Sequence, residues 1–384
     1  MDWALDPTVT FLNHGSFGAC PRAVLELQAR LRAELEAQPV RFLSRELEGR
    51  LDATRAALGA FVGADPDDLA FVPNATAGVN TVLRSLEFRA GDELLTTDHS
   101  YGACRNTLEA VAARTGARVV VAAVPFPLAD PEEFVARLVA AVGPRTRLAL
   151  LDHVTSPTGL VLPLRRMVAE LAARRVDALV DGAHGPGMVP VDLAAIGAAY
   201  YTANCHKWIC APKGSAFLHV RRDRQAGIRP LSISHGATDP RTDRSRFRLE
   251  FDWTGTQDPT AYLCVPEALR VVGGALPGGW PAVMERNRAL ALRARARMLA
   301  ALGGAAPAPE SMIGSLAAVP LPRLATPTPR RRDPLHVALG ERGIEVPVTS
   351  WPGGSGRALR ISAQLYNTDD DFERLGAALE ELRP

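Results

Sequence analysis

The sequence predicts an α/β protein whose main domain is a mostly parallel β-sheet covered by helices on both faces. Short apolar runs follow one another through residues 69–220, and helix-like stretches separate most of them. The runs are continuously apolar, which is typical of strands buried on both faces of a parallel sheet. From about Pro266 the sequence pattern changes to an Arg- and Ala-rich helix followed by mixed segments. That change indicates a second, smaller C-terminal α+β domain.

The individual elements follow from hydrophobic periodicity. Residues 21–62 have the leucine spacing of helices. Strands are expected at 69–72, 93–96, 118–124, 147–152, 177–181, 199–202 and 215–220. Helices are expected at 75–86, about 102–114, 164–174 and 281–302, with a linker near 260–280, a Pro/Arg-rich loop at 326–332 and a closing strand–helix unit at 358–382. The charged stretch 235–250 is expected to be a solvated loop.

Composition excludes several classes of protein. The 384 residues include 44 basic and 42 acidic side chains, so net charge gives no reason to expect a nucleic-acid or membrane partner. Five scattered cysteines form no CxxC pair, which argues against a disulfide framework or a zinc site, and no metal is expected. The first residues lack the pattern of a signal peptide, and no apolar run approaches the length of a membrane span. We therefore expect a soluble cytoplasmic protein.

The basic residues are unusual in kind. Only Lys207 and Lys213 are lysines, and the other 42 basic residues are arginines. Any chemistry that requires a lysine amine must therefore use one of two side chains.

Ionisable residues stand at the ends of two neighbouring predicted strands. Asp181 ends one strand and begins Asp-Gly-Ala-His, and Lys207 follows the next in Asn-Cys-His-Lys-Trp. Open α/β sheets bind ligands at these strand ends. A structural ion pair would explain either residue alone, whereas Lys213, between Pro212 and Gly214, has the setting of a solvated turn residue.

A third feature suits a phosphate group. Residues 71–78 read as a strand, a short turn and a helix start, where free N–H groups and the Thr76 hydroxyl could bind an anion. Asn74 or Thr76 could also act simply as a helix cap. The sequence has no GxGxxG after its early strands, no P-loop and no GxSxG elbow, which argues against a nicotinamide-dependent oxidoreductase, a P-loop nucleotide enzyme and a serine hydrolase.

A helix start suited to phosphate, an acid at one strand end and a lysine at another match what pyridoxal phosphate requires. With these residues in view, the sequence resembles the class V aminotransferase family of fold-type I pyridoxal-phosphate enzymes, and within it the isopenicillin N epimerase-like branch. The segments that carry the resemblance are 11–18, 98–103, 156–163, 181–188, 204–208, 254–256 and 359–368. Together, in this order across nearly the whole chain, they are strongly specific.

The resemblance implies a fold and a domain division. A large pyridoxal-phosphate-binding domain with a mostly parallel sheet of seven strands is expected at residues 21–265. A small C-terminal α+β domain follows at 266–384, and residues 1–20 form an N-terminal segment near the active site. The resemblance also implies a homodimer with shared active sites and a small-molecule amino-acid substrate.

The resemblance implies roles for individual residues as well. Lys207 would bond to the cofactor as a Schiff base and move the substrate Cα proton, Asp181 would pair with the ring nitrogen, and His184 would lie near the phenolic oxygen. The phosphate would be held by Ala75, Thr76, Asn204 and His206, and by Thr256 from the neighbouring subunit. Arg360 would bind the substrate carboxylate, with Asn13 and His14 at the substrate entrance.

The aromatic residue that stacks on the cofactor is left open between two candidates. His99 falls where related desulfurases place a stacking histidine. Tyr101 is two residues away, and on an extended strand it would lie on the same side.

The reaction is decided by the acids and bases around the cofactor. Epimerisation requires a second acid besides Lys207, for which His14, Tyr101 and His184 are candidates. An epimerase is favoured, a C–S lyase is close behind, and transamination stays open. A cysteine desulfurase is disfavoured because no cysteine lies between Cys264 and Arg360. A non-catalytic scaffold is the least favoured class, because the lysine and the aspartate are both present.

Overall fold

The computed structural model describes residues 1–322, 333–350 and 356–382, so the predicted loop at 326–332 lies outside the described residues. Its strands are β1 (Thr10–Phe11), β2 (Leu69–Val72), β3 (Glu93–Thr97), β4 (Arg118–Ala122), β5 (Thr146–Asp152), β6 (Asp177–Asp181), β7 (Tyr200–Asn204), β8 (Ala216–Val220), β9 (Leu316–Leu321), β10 (Ile344–Glu345), β11 (Val348–Ser350) and β12 (Arg357–Ser362). Its helices are α1 (His14–Phe17), α2 (Arg22–Ala37), α3 (Leu47–Val62), α4 (Ala75–Ser85), α5 (Gly102–Thr115), α6 (Pro131–Ala140), α7 (Leu164–Ala173), α8 (Leu193–Ile196), α9 (Arg246–Asp252), α10 (Thr260–Leu263), α11 (Val265–Gly273), α12 (Gly279–Leu302), α13 (Pro334–Glu341) and α14 (Asp369–Glu381).

The central sheet has seven strands in the order β2-β8-β7-β6-β5-β3-β4. Strand β8 runs antiparallel to both of its neighbours, and the other pairings are parallel. The predicted α/β class, the seven strands and the mostly parallel sheet are therefore confirmed.

Successive residues of a central strand enter different cores. On β5, Leu148 and Leu150 belong to the cluster that contains α4 and α5 residues, whereas Ala149 and Leu151 belong to the cluster that contains α3 and α7 residues. Since side chains alternate between the faces of a strand, both faces of the sheet are buried under helices. This double burial explains why the strands read as unbroken apolar runs.

The sequence reading differs from the structure in three of the helical regions. Residues 21–62 form α2 and α3, which are separated by a π-helical turn at Arg41–Glu46. Helix α6 was not predicted, although Asp130 caps its N-terminus and Pro131 begins it, a combination typical of a helix start. The charged stretch 235–250 was expected to be a solvated loop, which is wrong for its second half: α9 begins at Arg246 and Arg248 is buried.

The C-terminal part of the chain builds a smaller antiparallel sheet, β11-β12-β9, which packs against α12. The segment between the two sheets is helical, since α10 and α11 occupy it and pack on α2 and α3. Strand β1 pairs in parallel with β10, so the N-terminal segment is joined to the C-terminal part of the chain. Across residues 1–322, 333–350 and 356–382, each helix is too short or too polar to cross a membrane.

Candidate active site

A cavity of about 260 Å³ opens where β5, β6 and β7 end and α4 begins. Parallel strands bring their carboxyl ends to one edge of the sheet, which is where open α/β sheets bind ligands. The cavity is lined by Ser16, Phe17, Asn74, Ala75, Thr76, Tyr101, Asp152, Val154, Ser156, Asp181, Ala183, His184, Asn204, His206 and Lys207. A larger cavity, of about 610 Å³, lies beside α3 and is lined mainly by paired Arg and Asp side chains. It contains neither lysine, so the smaller cavity is the candidate site.

Strand β6 delivers Asp181 to this cavity. Its Oδ1 accepts the Ala183 N–H at 3.0 Å, and its Oδ2 accepts the Cys104 thiol at 3.0 Å. Both contacts hold the carboxyl in a fixed orientation at the end of the strand. Burial raises the pKa of Asp181, and the positive charge of Lys207 opposes that rise.

Lys207 lies in the turn after β7, with its Nζ 3.1 Å from His184 Nε2. The Trp208 Nε1–H donates to His184 Nδ1 at 3.2 Å, so the neutral imidazole carries its proton on Nε2. That proton can only be donated to a lysine whose amine is neutral. Burial, with the positive charge of Arg360, lowers the pKa of Lys207 to about 8. The surroundings therefore favour a nucleophilic amine near neutral pH.

The start of α4 supplies polar groups at another wall. Asn74 Oδ1 accepts the Ala77 N–H, and Asn204 Oδ1 accepts the Ala75 N–H, both at 2.8 Å. The Ala75 N–H is thus bonded within the protein, and Thr76, which also lines the cavity, contacts the Cys104 thiol with its side chain. His206 also lines the cavity, with its Nδ1 2.8 Å from the Ser215 carbonyl.

These groups fit pyridoxal phosphate. The cofactor has an aldehyde, a basic ring nitrogen and a phosphate. The cavity offers a buried amine on Lys207, carboxyl groups on Asp181 and Asp152, and a helix N-terminus with a threonine. The Asp152 Oδ2 atom is a buried acceptor with no partner among the described residues, and a cationic ligand group would satisfy it.

The structure separates the two candidate stacking residues. Strand β3 ends at Thr97 and a turn follows, so the expectation that His99 and Tyr101 lie on one side of an extended strand is wrong. His99 is fully buried behind the cavity, between the rings of Phe126 and Phe134. Tyr101 lines the cavity and is 43% exposed.

Arg360 lies one layer behind the cavity wall. Its Nη1 donates to the Ser156 carbonyl at 2.7 Å and to the Ser156 hydroxyl at 3.1 Å, and its Nη2 donates to the Ser16 hydroxyl at 2.9 Å. Ser16 donates in turn to Asn13, which donates to Glu345 at 2.9 Å. Asn13 therefore lies behind the cavity and orients Arg360 through Ser16.

Two further predicted residues lie outside the cavity wall. His14 is fully buried, with Nε2 3.0 Å from the Lys207 carbonyl and Nδ1 2.9 Å from the Tyr366 hydroxyl. It supports the backbone of the lysine instead of lining the entrance. Thr256 is exposed in the loop after α9.

The sequence reading missed several residues of the cavity wall. Asp152 ends β5 as Asp181 ends β6, so the same signal, a carboxylate that ends an apolar strand, would have found it. Ser16, Phe17 and Ser156 fall within the segments 11–18 and 156–163 that carry the family resemblance. Nothing in their spacing along the chain shows that they meet across the cavity.

The chain is similar to known proteins over nearly its whole length. The family model described as "Aminotransferase class-V" matches residues 19–375. An isopenicillin N epimerase of Amycolatopsis lactamdurans is 39% identical, over 99% of this chain and 96% of that protein. A probable chloroplastic L-cysteine desulfhydrase of Arabidopsis thaliana is 32% identical, over 98% of this chain and 83% of that protein.

Among solved structures, the cystine C–S lyase C-DES superposes with a TM-score of 0.77 at 23% identity, covering 98% of this chain and 99% of that one. At this identity the likeness establishes the fold, which is fold-type I. The family match and the full-length relatives establish more: the chain belongs to the aminotransferase class-V family, whose enzymes use pyridoxal phosphate as their cofactor.

Proposed function

We propose that this protein is an epimerase that inverts the Cα stereocentre of an amino acid or of an amino-acid-containing metabolite, with isopenicillin N as the first substrate to test. One observation carries the chemistry: the Lys207 amine lies in one cavity with Asp181 and is 3.1 Å from His184 Nε2. The 39% identity to an isopenicillin N epimerase over nearly the whole chain supports this reaction.

The residues of the cavity have different roles in the proposed epimerisation. When bound, pyridoxal phosphate withdraws electrons from the substrate and makes its Cα proton labile. Lys207 Nζ takes this proton from one face or returns it there, and the Nε2–H of His184 favours the neutral form of the amine that accepts it. Of the three candidate second acids, His184 contacts Lys207 and His14 lies outside the cavity wall. Tyr101 is thus the residue that we propose to serve the opposite face.

Arg360 and the two serines recognise the substrate carboxylate. A guanidinium held by Ser16 and Ser156 is fixed in orientation, and it places positive charge directly behind the cavity wall. Burial lowers the pKa of Arg360 to about 10, so it stays charged at neutral pH. Because both serines line the cavity, they stand between the arginine and the substrate.

A second candidate reaction is C–S bond cleavage of a sulfur-containing amino acid. The 32% identity to a probable L-cysteine desulfhydrase favours it, and it begins with loss of the same Cα proton. It requires only that a group of the cavity protonates the leaving sulfur, and Tyr101 could serve there too.

We further propose a cytoplasmic homodimer with shared active sites. All five cysteines are free thiols, as is common in a reducing compartment. Phe17 and Tyr101 are exposed aromatic residues at the cavity, and Thr256 lies in an exposed loop. A second copy that covers these residues would close the cavity and bring Thr256 to the partner's phosphate site.

The first experiment tests the cofactor and its lysine. Wild type, Lys207→Ala and Lys213→Ala are incubated with pyridoxal phosphate and then with borohydride, and absorbance and peptide masses are measured. We expect a visible band in wild type and in Lys213→Ala, with reduced cofactor on the Lys207 peptide, and neither in Lys207→Ala. A wild-type chain that stays colourless would exclude the proposed function.

The second experiment separates the two reactions. Isopenicillin N and L-cysteine are supplied in D₂O, followed by chiral chromatography and assays for sulfide and pyruvate. An epimerase inverts its substrate with one deuterium incorporated, whereas a C–S lyase releases sulfide and pyruvate from cysteine. Release of sulfide without any inversion would replace the first proposal with the second.

A further inference from the structure

Asp152 is the ionisable residue of the cavity that has no role in the proposed function. It ends β5 directly beside Asp181 on β6, and the strand register pairs the two residues. Paired residues on neighbouring parallel strands point to the same face and are separated by about 4.8 Å. Two carboxyl groups therefore stand side by side at one wall of the cavity, which both of them line.

The two carboxyl groups differ in how well their oxygens are satisfied. Both oxygens of Asp181 already accept a hydrogen bond, from Ala183 and from Cys104. Asp152 is only 5% exposed and its carboxyl accepts the Tyr101 N–H, but Oδ2 has no partner within the described ranges. A buried oxygen without a donor is costly, and a ligand that donates to it would remove the cost.

The charges around the pair show which ligand would suit it. Three groups face the Asp152 carboxyl. They are the Asp181 carboxyl from β6, the Cys104 thiol from α5 and the Lys207 amine from the turn after β7. Burial, with the negative charge of Asp181, raises the pKa of Asp152 well above its usual value, while Lys207 opposes that rise. The surroundings of the Asp152 and Asp181 carboxyl groups therefore favour either a proton bound to one of them or a cationic hydrogen-bond donor beside them.

We propose that Asp152 and Asp181 together form the counter-ion of the protonated ring nitrogen of pyridoxal phosphate, with Asp152 Oδ2 as the second acceptor. The inference rests on the proposed function, because it concerns the same cavity and cofactor. It makes Asp152 a cofactor-binding residue and gives the ring nitrogen two negative neighbours instead of one. A ring nitrogen between two carboxylates keeps its proton to higher pH than beside a single one.

Cofactor binding tests the proposal directly. Pyridoxal phosphate is titrated into the cofactor-free full chain at pH 7, with visible absorbance as the readout, for wild type, Asp152→Asn and Asp98→Asn. Asp98 is the matched control, because its carboxyl accepts the Val124 N–H and does not line the cavity. We expect about tenfold weaker binding for Asp152→Asn, the loss of one charge-assisted hydrogen bond, and less than twofold for Asp98→Asn.

Thermal unfolding of the cofactor-free chains gives a second readout. A carboxyl whose pKa is raised by folding contributes stability at low pH, and this is lost as pH rises through the raised pKa. Asparagine has no titratable proton, so its contribution does not change over this pH range. The melting temperature of Asp152→Asn relative to wild type should therefore be higher at pH 8 than at pH 5, whereas a carboxyl that is not held buried beside a second negative charge would give one shift at both pH values.

The outcomes separate the two proposals. Equal cofactor affinity in wild type and Asp152→Asn, or a shift in melting temperature that does not depend on pH, would overturn the role of Asp152 alone. A wild-type chain that binds no cofactor would overturn the proposed function and the role of Asp152 with it.

Discussion

The two lysines of the chain show how surroundings assign chemistry to identical side chains. Lys213 lies in an exposed turn, and its Nζ donates to the Gly18 carbonyl at 2.8 Å. Lys207 instead meets the protonated Nε2 of a histidine whose other nitrogen is fixed by Trp208. Burial lowers the pKa of both amines, and that of Lys207 falls to about 8. Only Lys207 has both a reactive amine and a ligand cavity in front of it.

The lowered pKa of Lys207 predicts how cofactor capture depends on pH. The neutral amine attacks the aldehyde, and its fraction rises as pH increases through the pKa. In stopped-flow absorbance, the rate constant for formation of the visible band should therefore rise with a midpoint near pH 8 and level off above it. Lys213→Ala should give the same profile. A midpoint above pH 10 would mean that the cavity does not lower this pKa.

Removal of the Tyr101 hydroxyl should affect the two faces of the substrate unequally. Loss of one general acid typically costs about 100-fold or more. We expect Tyr101→Phe to lower epimerisation by about that factor, while exchange of the Cα proton on the face of Lys207 stays within a few fold. Chiral chromatography gives the first rate and NMR in D₂O the second. If both rates fall equally, the hydroxyl does not act on one face alone and Tyr101 is not the second acid.

Sequence reasoning found those site residues whose chemistry shows in their local context. Asp181 and Lys207 stand out because charged residues end apolar strands. The position of His99 could not be read in this way, because β3 ends at Thr97 and the turn that follows breaks the alternation of side chains. The contacts of Arg360 depend on Ser16 and Ser156, which are far from it along the chain. Only the folded chain brings them together.

At the scale of elements, α9 is tied to α3 by buried ion pairs. Arg55 on α3 is fully buried and pairs with Asp252, which also accepts Arg248 at 3.3 Å. Asp52, also on α3, forms ion pairs with Arg244 and Arg248. Part of the charged stretch that was expected to be solvated thus forms a helix that docks against α3.

Removal of one acid from this network should be costly. Burial raises the pKa of Asp252 and lowers that of Arg55, so each charge depends on its partner. Asp252→Ala leaves two buried guanidinium groups undercompensated, and we expect a loss of about 3–5 kcal/mol of unfolding free energy in urea. Glu109→Ala removes an exposed pair with Arg105 and should cost less than about 1 kcal/mol. Equal losses in the two variants would show that burial does not strengthen the network.

The strands were more predictable than the helices for a physical reason. Burial on both faces requires an apolar side chain at almost every position, and this leaves a strong signal over four to seven residues. Helices α2 and α3 share one continuous periodic pattern, in which Pro39, two residues after α2 ends at Ala37, is the local signal for the break.

At the scale of the whole molecule, the two ends of the chain meet at the site. Strand β1 pairs with β10, Asn13 binds Glu345, and His14 binds Tyr366. The pairing covers only two residues on each strand, too few to leave a periodic pattern. The sequence alone therefore could not show how the N-terminal segment is held, even where the resemblance placed it near the site.

The proposed dimer predicts that an exposed threonine matters for cofactor binding. Thr256→Ala should weaken the affinity for pyridoxal phosphate about five- to tenfold, since it removes a hydrogen bond to the neighbouring subunit's phosphate. The adjacent Gln257→Ala should leave the affinity unchanged. Light scattering should give a mass of two chains, twice 41.1 kDa, for both variants. A monomeric wild type that binds the cofactor fully would exclude shared sites.

The meeting of the two ends also sets an order in time. A chain is synthesised from its N-terminus, so β1 and His14 leave the ribosome long before the residues that hold them. His14 contacts the Lys207 carbonyl with one ring nitrogen and Tyr366, 352 residues later in the sequence, with the other. Local strands and helices of the seven-stranded sheet can assemble during synthesis, whereas contacts so distant in sequence form late. The contacts of His14 are therefore completed only after the residues up to Tyr366 have emerged, and a chain truncated before Tyr366 would lack one of the two bonds that hold the His14 ring.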